Sequence, residues 1–213
     1  MVSVYMNPEN LEKKIASLKE FAASVKKHND DVNDLYNKEP IKSGGDHLKD
    51  IKAAIDKAVL ATEGHAEDLT TCKTTMVNLN SNGVANHDLE GGVSIEVPDD
   101  SAGLETTDKF QKWAQGATDA HDLRSGEGKL PSGRSIDEVR ESMKANKDDT
   151  TYANSVIDRI GPENLTWIGS ADPDSNKEAP VLGEILATAS KTWDTPKSER
   201  NADLIAASID GIR

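Results

Sequence analysis

PENLEKKIASLKEFAASVKKHNDDVNDLYNK, residues 8–38, and DHLKDIKAAIDKAVLATEGHAEDLTTCKTTMVNLN, residues 46–80, decide the fold. In the first stretch Leu11, Ile15, Leu18, Ala22, Val25, Val32 and Tyr36 recur at steps of three and four, with Asn29 in the gap. The second repeats the rule with Leu48, Ile51, Ile55, Ala58, Thr62, Leu69, Cys72, Met76 and Leu79, and His65 fills its gap. An apolar step near 3.5 residues held over this length describes two antiparallel helices sharing a seam. Each rod would be ~50 Å long at about 1.5 Å per residue.

The ends of the rods carry their own signals. Asn7 caps the first helix, Pro8 suits its first turn, and Glu9 complements the positive end of the dipole. Pro40 stops it near Lys38, and Asp46 caps the second rod after Gly44-Gly45. Gly64 interrupts the second rod, as a bend or a close contact. Polar Asn29 and His65 on the stripe set register or lie at its edge.

Beyond residue 80 the pattern changes. Ser81-Asn82-Gly83 and Gly91-Gly92 are turn signals, and Val93-Ser94-Ile95-Glu96-Val97 alternates as a short strand does. Residues 81–103 therefore read as a linker with at most a small hairpin, separating a hairpin domain at 1–80 from an acidic helical domain at 104–213. In that last part helices are expected over Leu104–Leu123, from a capping box at Ser135 and Glu138 through Ala145, from a cap at Asp148-Asp149 to Gly161, over Val181–Trp193, and over Lys197–Ile209. The expected fold class is all-α: a long antiparallel helical hairpin followed by a bundle of short helices. The apolar stripe Leu204, Ile205, Ile209 lies so near Arg213 that the natural chain is expected to continue.

Composition sharpens this. Only 4% of the 213 residues are aromatic, so the core is aliphatic and suits thin helical layers. Residues 1–80 hold 11 Lys/Arg against 13 Asp/Glu, while residues 81–213 hold 14 against 25. The halves are different modules. A net charge of -13 with no basic face argues against nucleic acid and anionic membrane surfaces. No apolar run reaches the length of a membrane span, and Met1–Asn10 lacks the charge and apolar core of a signal peptide. The expected location is secreted or cell-surface by a leaderless route, with the cytoplasm as the alternative. One cysteine excludes a disulfide framework within the chain, and Cys72 on the apolar stripe reads as a buried inert thiol.

Chemistry is sparse. Asp172-Pro173-Asp174-Ser175-Asn176 opens like a calcium loop, but Lys177 and Gly183 stand where glycine and a bidentate glutamate are needed. An Asx-turn loop is the simpler reading. His65, Asp68 and Cys72 share a helical face that zinc could use, yet no second ligand pair follows. Asp119, His121 and Asp122 crowd one turn, either as an acid–base pair under a cleft or as a solvated helix end, the simpler reading. Gly126-Glu127-Gly128-Lys129 lacks the spacing of a phosphate loop. Trp113, Trp167 and Trp193 read as core residues, or one of them as a partner anchor. No catalytic residue, metal ligand or cofactor is assigned.

A leaderless helical hairpin followed by an acidic helical module resembles the WXG-type hairpins of type VII secretion substrates. Asp149 to Leu165, with Tyr152-Ala153, Ile157-Asp158 and Ile160-Gly161-Pro162-Glu163-Asn164-Leu165, is similar to an uncharacterised helical domain found behind such hairpins in actinobacterial proteins. Leu182 to Ser190 is similar to that domain's later helix. The family's turn tryptophan is missing from Pro40–Gly45, and Trp167-Ile168-Gly169 spells the motif in the other module. The trailing Tyr-x-x-x-Asp/Glu signal is also missing; Tyr5 and Glu9 have its spacing but precede the first rod. The resemblance implies a non-enzymatic adaptor or leader region that binds a partner helical hairpin, in a homodimer or with another hairpin protein, which would supply the export signal. The docking residues would be Leu11, Ile15, Leu18, Val25, Leu48, Ile55, Leu69 and Met76. The alternatives are a cytosolic coiled-coil scaffold that dimerises, and an enzyme in the acidic half.

Overall fold

A computed structural model describes residues 2–38, 45–87, 92–97, 104, 106–125, 130–161 and 179–191. Six helices are described: α1 (Pro8–Lys38), α2 (Gly45–Ser81), α3 (Thr107–Arg124), α4 (Ile136–Asn146), α5 (Thr150–Ile160) and α6 (Ala179–Ala189). Three short strands, β1 (Val2–Met6), β2 (Asn86–His87) and β3 (Val93–Val97), form one sheet in the order β1-β3-β2. β2 and β3 are antiparallel, with Asn86 opposite Ser94 and His87 opposite Val93. The fold is thus all-α apart from this small sheet. The chain divides into two compact units, one holding Met6–Thr74 and the other Met1–Tyr5 with the chain from Thr75 onward.

The first unit is the hairpin. Asn7 Oδ1 accepts the Asn10 N–H at 3.0 Å, and α1 begins at Pro8 as its cap dictates. Glu12 pairs with Lys73 at 3.0 Å and Asn29 with Asp56 at 2.9 Å, so early residues of α1 meet late residues of α2. The rods are antiparallel. In α1 the buried and half-buried residues follow the stripe through Leu11, Ile15, Leu18, Ala22, Val25 and Asn29. In α2 the seam keeps Ile55, Thr62 and Leu69 of the sequence reading but shifts by one residue at the positions between them. It runs through Lys52, Ile55, Val59, Thr62, Ala66, Leu69 and Lys73, leaving Ile51, Ala58 and His65 exposed. Apolar residues at 51, 55, 58, 59, 60 and 61 wrap most of the helix surface, so periodicity alone does not choose the phase. The Asn29–Asp56 bond does, because it fixes which face of α2 turns toward α1. Gly64 makes no close contact, since a methyl built on it meets nothing within 4 Å.

In the second unit α3 is the central helix. Trp113, Ala114, Gly116, Ala117, Thr118, Asp119, Ala120 and Asp122 are all buried, covering several of its faces. Small residues at 116, 117 and 120 let α5 approach closely. A methyl on Gly116 would lie 2.6 Å from the Tyr152 carbonyl oxygen, and Ser155 Oγ donates to the Trp113 carbonyl at 2.6 Å. Val139 and Met143 of α4, Tyr152, Val156, Ile157 and Ile160 of α5, and Leu182 and Ile185 of α6 close one aliphatic core. The caps are those the sequence specifies. Ser135 and Glu138 form a reciprocal capping box, Asp149 accepts the Tyr152 N–H at 2.9 Å, and α5 stops at Gly161 with φ 78°. Trp113 is buried beside this core and is not a surface anchor. It stacks on Phe110 with ring centroids 6.3 Å apart, and the Arg159 guanidinium lies 5.5 Å from its ring. Burial pulls that guanidinium below its usual value.

Candidate functional site

Two features of the described residues stand out chemically, one in each unit. In the hairpin, α1 and α2 leave between them a groove of about 410 Å³. Its apolar lining comes from Phe21, Val25 and Val32 on α1 and Leu48, Ile51 and Ile55 on α2. Phe21 is 60% exposed, and Val32 and Ile51 are each 55% exposed. Three large apolar side chains that open to water around one groove are not scattered surface residues, and Phe21 is one of only two phenylalanines in the chain. The cations lining the groove are Lys49 and Lys52, with His28 beside them, and Lys52 is paired with Asp56 at 3.0 Å.

In the second unit the acidic turn of α3 is not a solvated helix end. Asp119 and Asp122 are fully buried, each at 0% exposure, and both bind Arg134 from the loop before α4. Arg134 Nη2 donates to Asp119 Oδ1 at 2.6 Å and to Asp122 Oδ2 at 2.7 Å. Asp119 also accepts from Gln115 at 3.0 Å, Ser142 Oγ at 2.6 Å and Tyr152 OH at 2.5 Å. Asp122 accepts the Ser132 backbone N–H at 3.1 Å and its hydroxyl at 2.6 Å. Ser132 Oγ in turn accepts from Arg134 Nε at 3.0 Å. Every carboxylate oxygen is thus satisfied, as buried charge requires. Burial works to lower the Arg134 guanidinium, but the charges and hydrogen bonds of Asp119 and Asp122 outweigh it and hold it above its usual value. Burial first, then the Asp119 charge, pushes the Tyr152 phenol well up.

His121 takes no part in this cluster. It lies against the other side of the turn, where a methyl on Gly83 would be 3.3 Å from its Nε2. The sequence placed Asp119, His121 and Asp122 together; the fold separates the histidine from both carboxylates. An acid–base pair needs a proton donor within reach of a substrate, and these carboxylates are sealed and saturated.

Arg134 also lines a second cavity, of about 320 Å³, wholly within this unit. Thr75, Asn78 and Asn82 form one wall, at the end of α2. Gln111, Gln115 and Thr118 of α3 form the other, with Ser132 beside Arg134 and Leu79 and Ala114 as the apolar floor.

A family model matches residues 1–212, and its description is a family of unknown function, DUF6571. The chain belongs to the DUF6571 family. No curated protein and no solved structure matches it. The DUF6571 match runs through the hairpin and the helical unit alike, so the groove and the buried cluster both lie inside one family unit.

Of the residues the sequence assigned to docking in this DUF6571 chain, Ile15 and Met76 are buried, and Leu11, Leu18, Val25, Leu48, Ile55 and Leu69 are half-buried. Met76 falls in the second unit. Only Val25, Leu48 and Ile55 line the groove; Phe21 was overlooked because it sits off the stripe. Cys72 is half-buried, His65 is exposed, and no group of three metal-binding side chains occurs among the described residues. No helix among them is long and apolar enough to cross a membrane. Asp172–Asn176, Gly126–Lys129, Trp167, Trp193 and the helix expected over Lys197–Ile209 lie outside the described residues.

Proposed function

We propose that the chain is a non-enzymatic docking protein whose hairpin receives the helix pair of a different hairpin protein, as an adaptor or leader region associated with type VII secretion. The observation that carries the docking part is the open apolar groove between α1 and α2, with Phe21, Val32 and Ile51 exposed around it. Each anchor is already partly covered, so completing its burial contributes roughly 1–2 kcal/mol, which offsets part of the ~4–15 kcal/mol cost of association and leaves the rest to the partner's further contacts. Lys52 is neutralised by Asp56 at 3.0 Å, so charge does not choose the occupant. A different hairpin protein is preferred to a second copy because a second copy lacks the same trailing export signal that this chain lacks. The secretion setting rests on the resemblance of the hairpin and of Asp149–Leu165 and Leu182–Ser190, and the proposal accordingly includes a location outside the cell or at its surface.

The test is a photo-crosslinking amino acid at position 21 in cells that make the protein naturally. The expected product joins the chain to a small helical-hairpin protein, and fractionation finds it in the cell-surface or secreted pool. Crosslinks only to a second copy, with the protein confined to the cytosol, would replace the proposal by the dimerising scaffold.

A further inference from the structure

The cavity beside Arg134 is independent of the groove, and its lining specifies a kind of ligand. Asn78, Asn82 and Gln111 all line one space of about 320 Å³, and their side chains, exposed or half-buried, make no hydrogen bond to the described residues. That volume is at the lower bound of small-ligand sites, about 300 Å³. Arg134 also lines the space, and Nη1 is its uncommitted donor, because Nε is spent on Ser132 and Nη2 on the two carboxylates.

Charge then discriminates among ligands. Asp119 and Asp122 together outweigh the one cation of Arg134, so the wall behind the cavity carries one net negative charge, and phosphate or carboxylate is disfavoured. A cation gains little either, since the carboxylate oxygens are turned inward and already accept hydrogen bonds. What faces the cavity is a set of neutral groups, above all carboxamides, each presenting a donor beside an acceptor. Another amide is the complement of that arrangement. No aromatic ring lines the cavity to stack a sugar or a base.

We infer that this cavity binds an uncharged amide, such as a glutamine or asparagine side chain with its neighbouring peptide groups, with Asn78, Asn82 and Gln111 pairing to it and Arg134 Nη1 donating to its carbonyl oxygen. The probe is N-acetylglutaminamide, added to the full chain while the side-chain amide resonances are followed by NMR. The expected result is saturable movement of the Asn78, Asn82 and Gln111 signals with Kd of about 1–10 mM, as suits so small a molecule. N-acetylglutamate amide, glucose and inorganic phosphate should each bind at least about fivefold more weakly. The double variant N78L/Q111L removes two exposed side chains that the fold does not use, so it should fold normally and lose the response. Phosphate or glutamate binding as well as the amide would overturn the ligand class. No saturable response to the amide, or an unchanged response in N78L/Q111L, would overturn the site.

Discussion

Replacing Arg134 by methionine keeps an apolar stem of similar reach and removes the guanidinium alone. Three hydrogen bonds go with it, to Asp119 at 2.6 Å, to Asp122 at 2.7 Å and to Ser132 at 3.0 Å. Two fully buried carboxylates are then left with no cation. Removing one partner of a buried ion pair costs about 3–5 kcal/mol. Two considerations place this case near the lower end. Arg134 is itself 24% exposed, so its side chain is not wholly desolvated, and Asp119 and Asp122 keep neutral donors from Gln115, Ser142, Tyr152 and Ser132. The expected loss is about 3 kcal/mol, a large share of the ~5–15 kcal/mol that holds a domain folded. Urea unfolding followed by tryptophan fluorescence reads it selectively, since all three tryptophans follow residue 112 and the hairpin has none. The midpoint should fall with an unchanged slope. In a D122N background the same substitution should cost less, because one of the stranded charges is already gone. A loss below about 1 kcal/mol, or equal losses in the two backgrounds, would refute the sealed ionic cluster.

Other residues give contrasting tests. Gly116→Ala should destabilise by about 1–2 kcal/mol, since the clash with the Tyr152 carbonyl at 2.6 Å outweighs the helix propensity gained; thermal melting checks it. Gly64→Ala has open space and should stabilise the hairpin by up to ~1 kcal/mol, read as a rise in its melting temperature by circular dichroism. The raised Tyr152 phenol contributes stability that is complete below the ordinary value of 10.0 and is lost as pH rises above it. Phenolate absorbance should therefore show no difference between wild type and Tyr152→Phe through that range while the chain stays folded. An ionisation step near 10.0 present only in wild type would contradict the burial of Tyr152.

How much was legible in the sequence depended on whether the signal was local. The start of α1 at Pro8, the capping box at Ser135, the Asp149 cap and the stop at Gly161 each rest on residues within one turn, and each was readable. β1 carried a readable signal too, since Val2-Ser3-Val4-Tyr5-Met6 alternates, but no element was assigned ahead of the Asn7 cap. The phase of α2 depended on a bond between residues 27 positions apart, which no window on α2 contains. The buried cluster was hidden for a similar reason. Asp119 and Asp122 look like solvated charges until Arg134 folds back across the loop. One clue was present: Ala114, Gly116, Ala117, Thr118 and Ala120 surround the helix with small residues, as in a helix packed on several sides. An acid in such a run is buried, and a buried acid needs a partner.

The central claim is that the groove between α1 and α2 holds a partner helix. Its most direct test is the solution mass, by light scattering, of the full chain mixed with the purified hairpin protein crosslinked at position 21. The wild-type chain should give the summed mass of the two, and Ile51→Glu, which puts a charge into the groove while leaving the seam alone, should give only the separate masses. A complex of the same mass and strength with Ile51→Glu would contradict the claim.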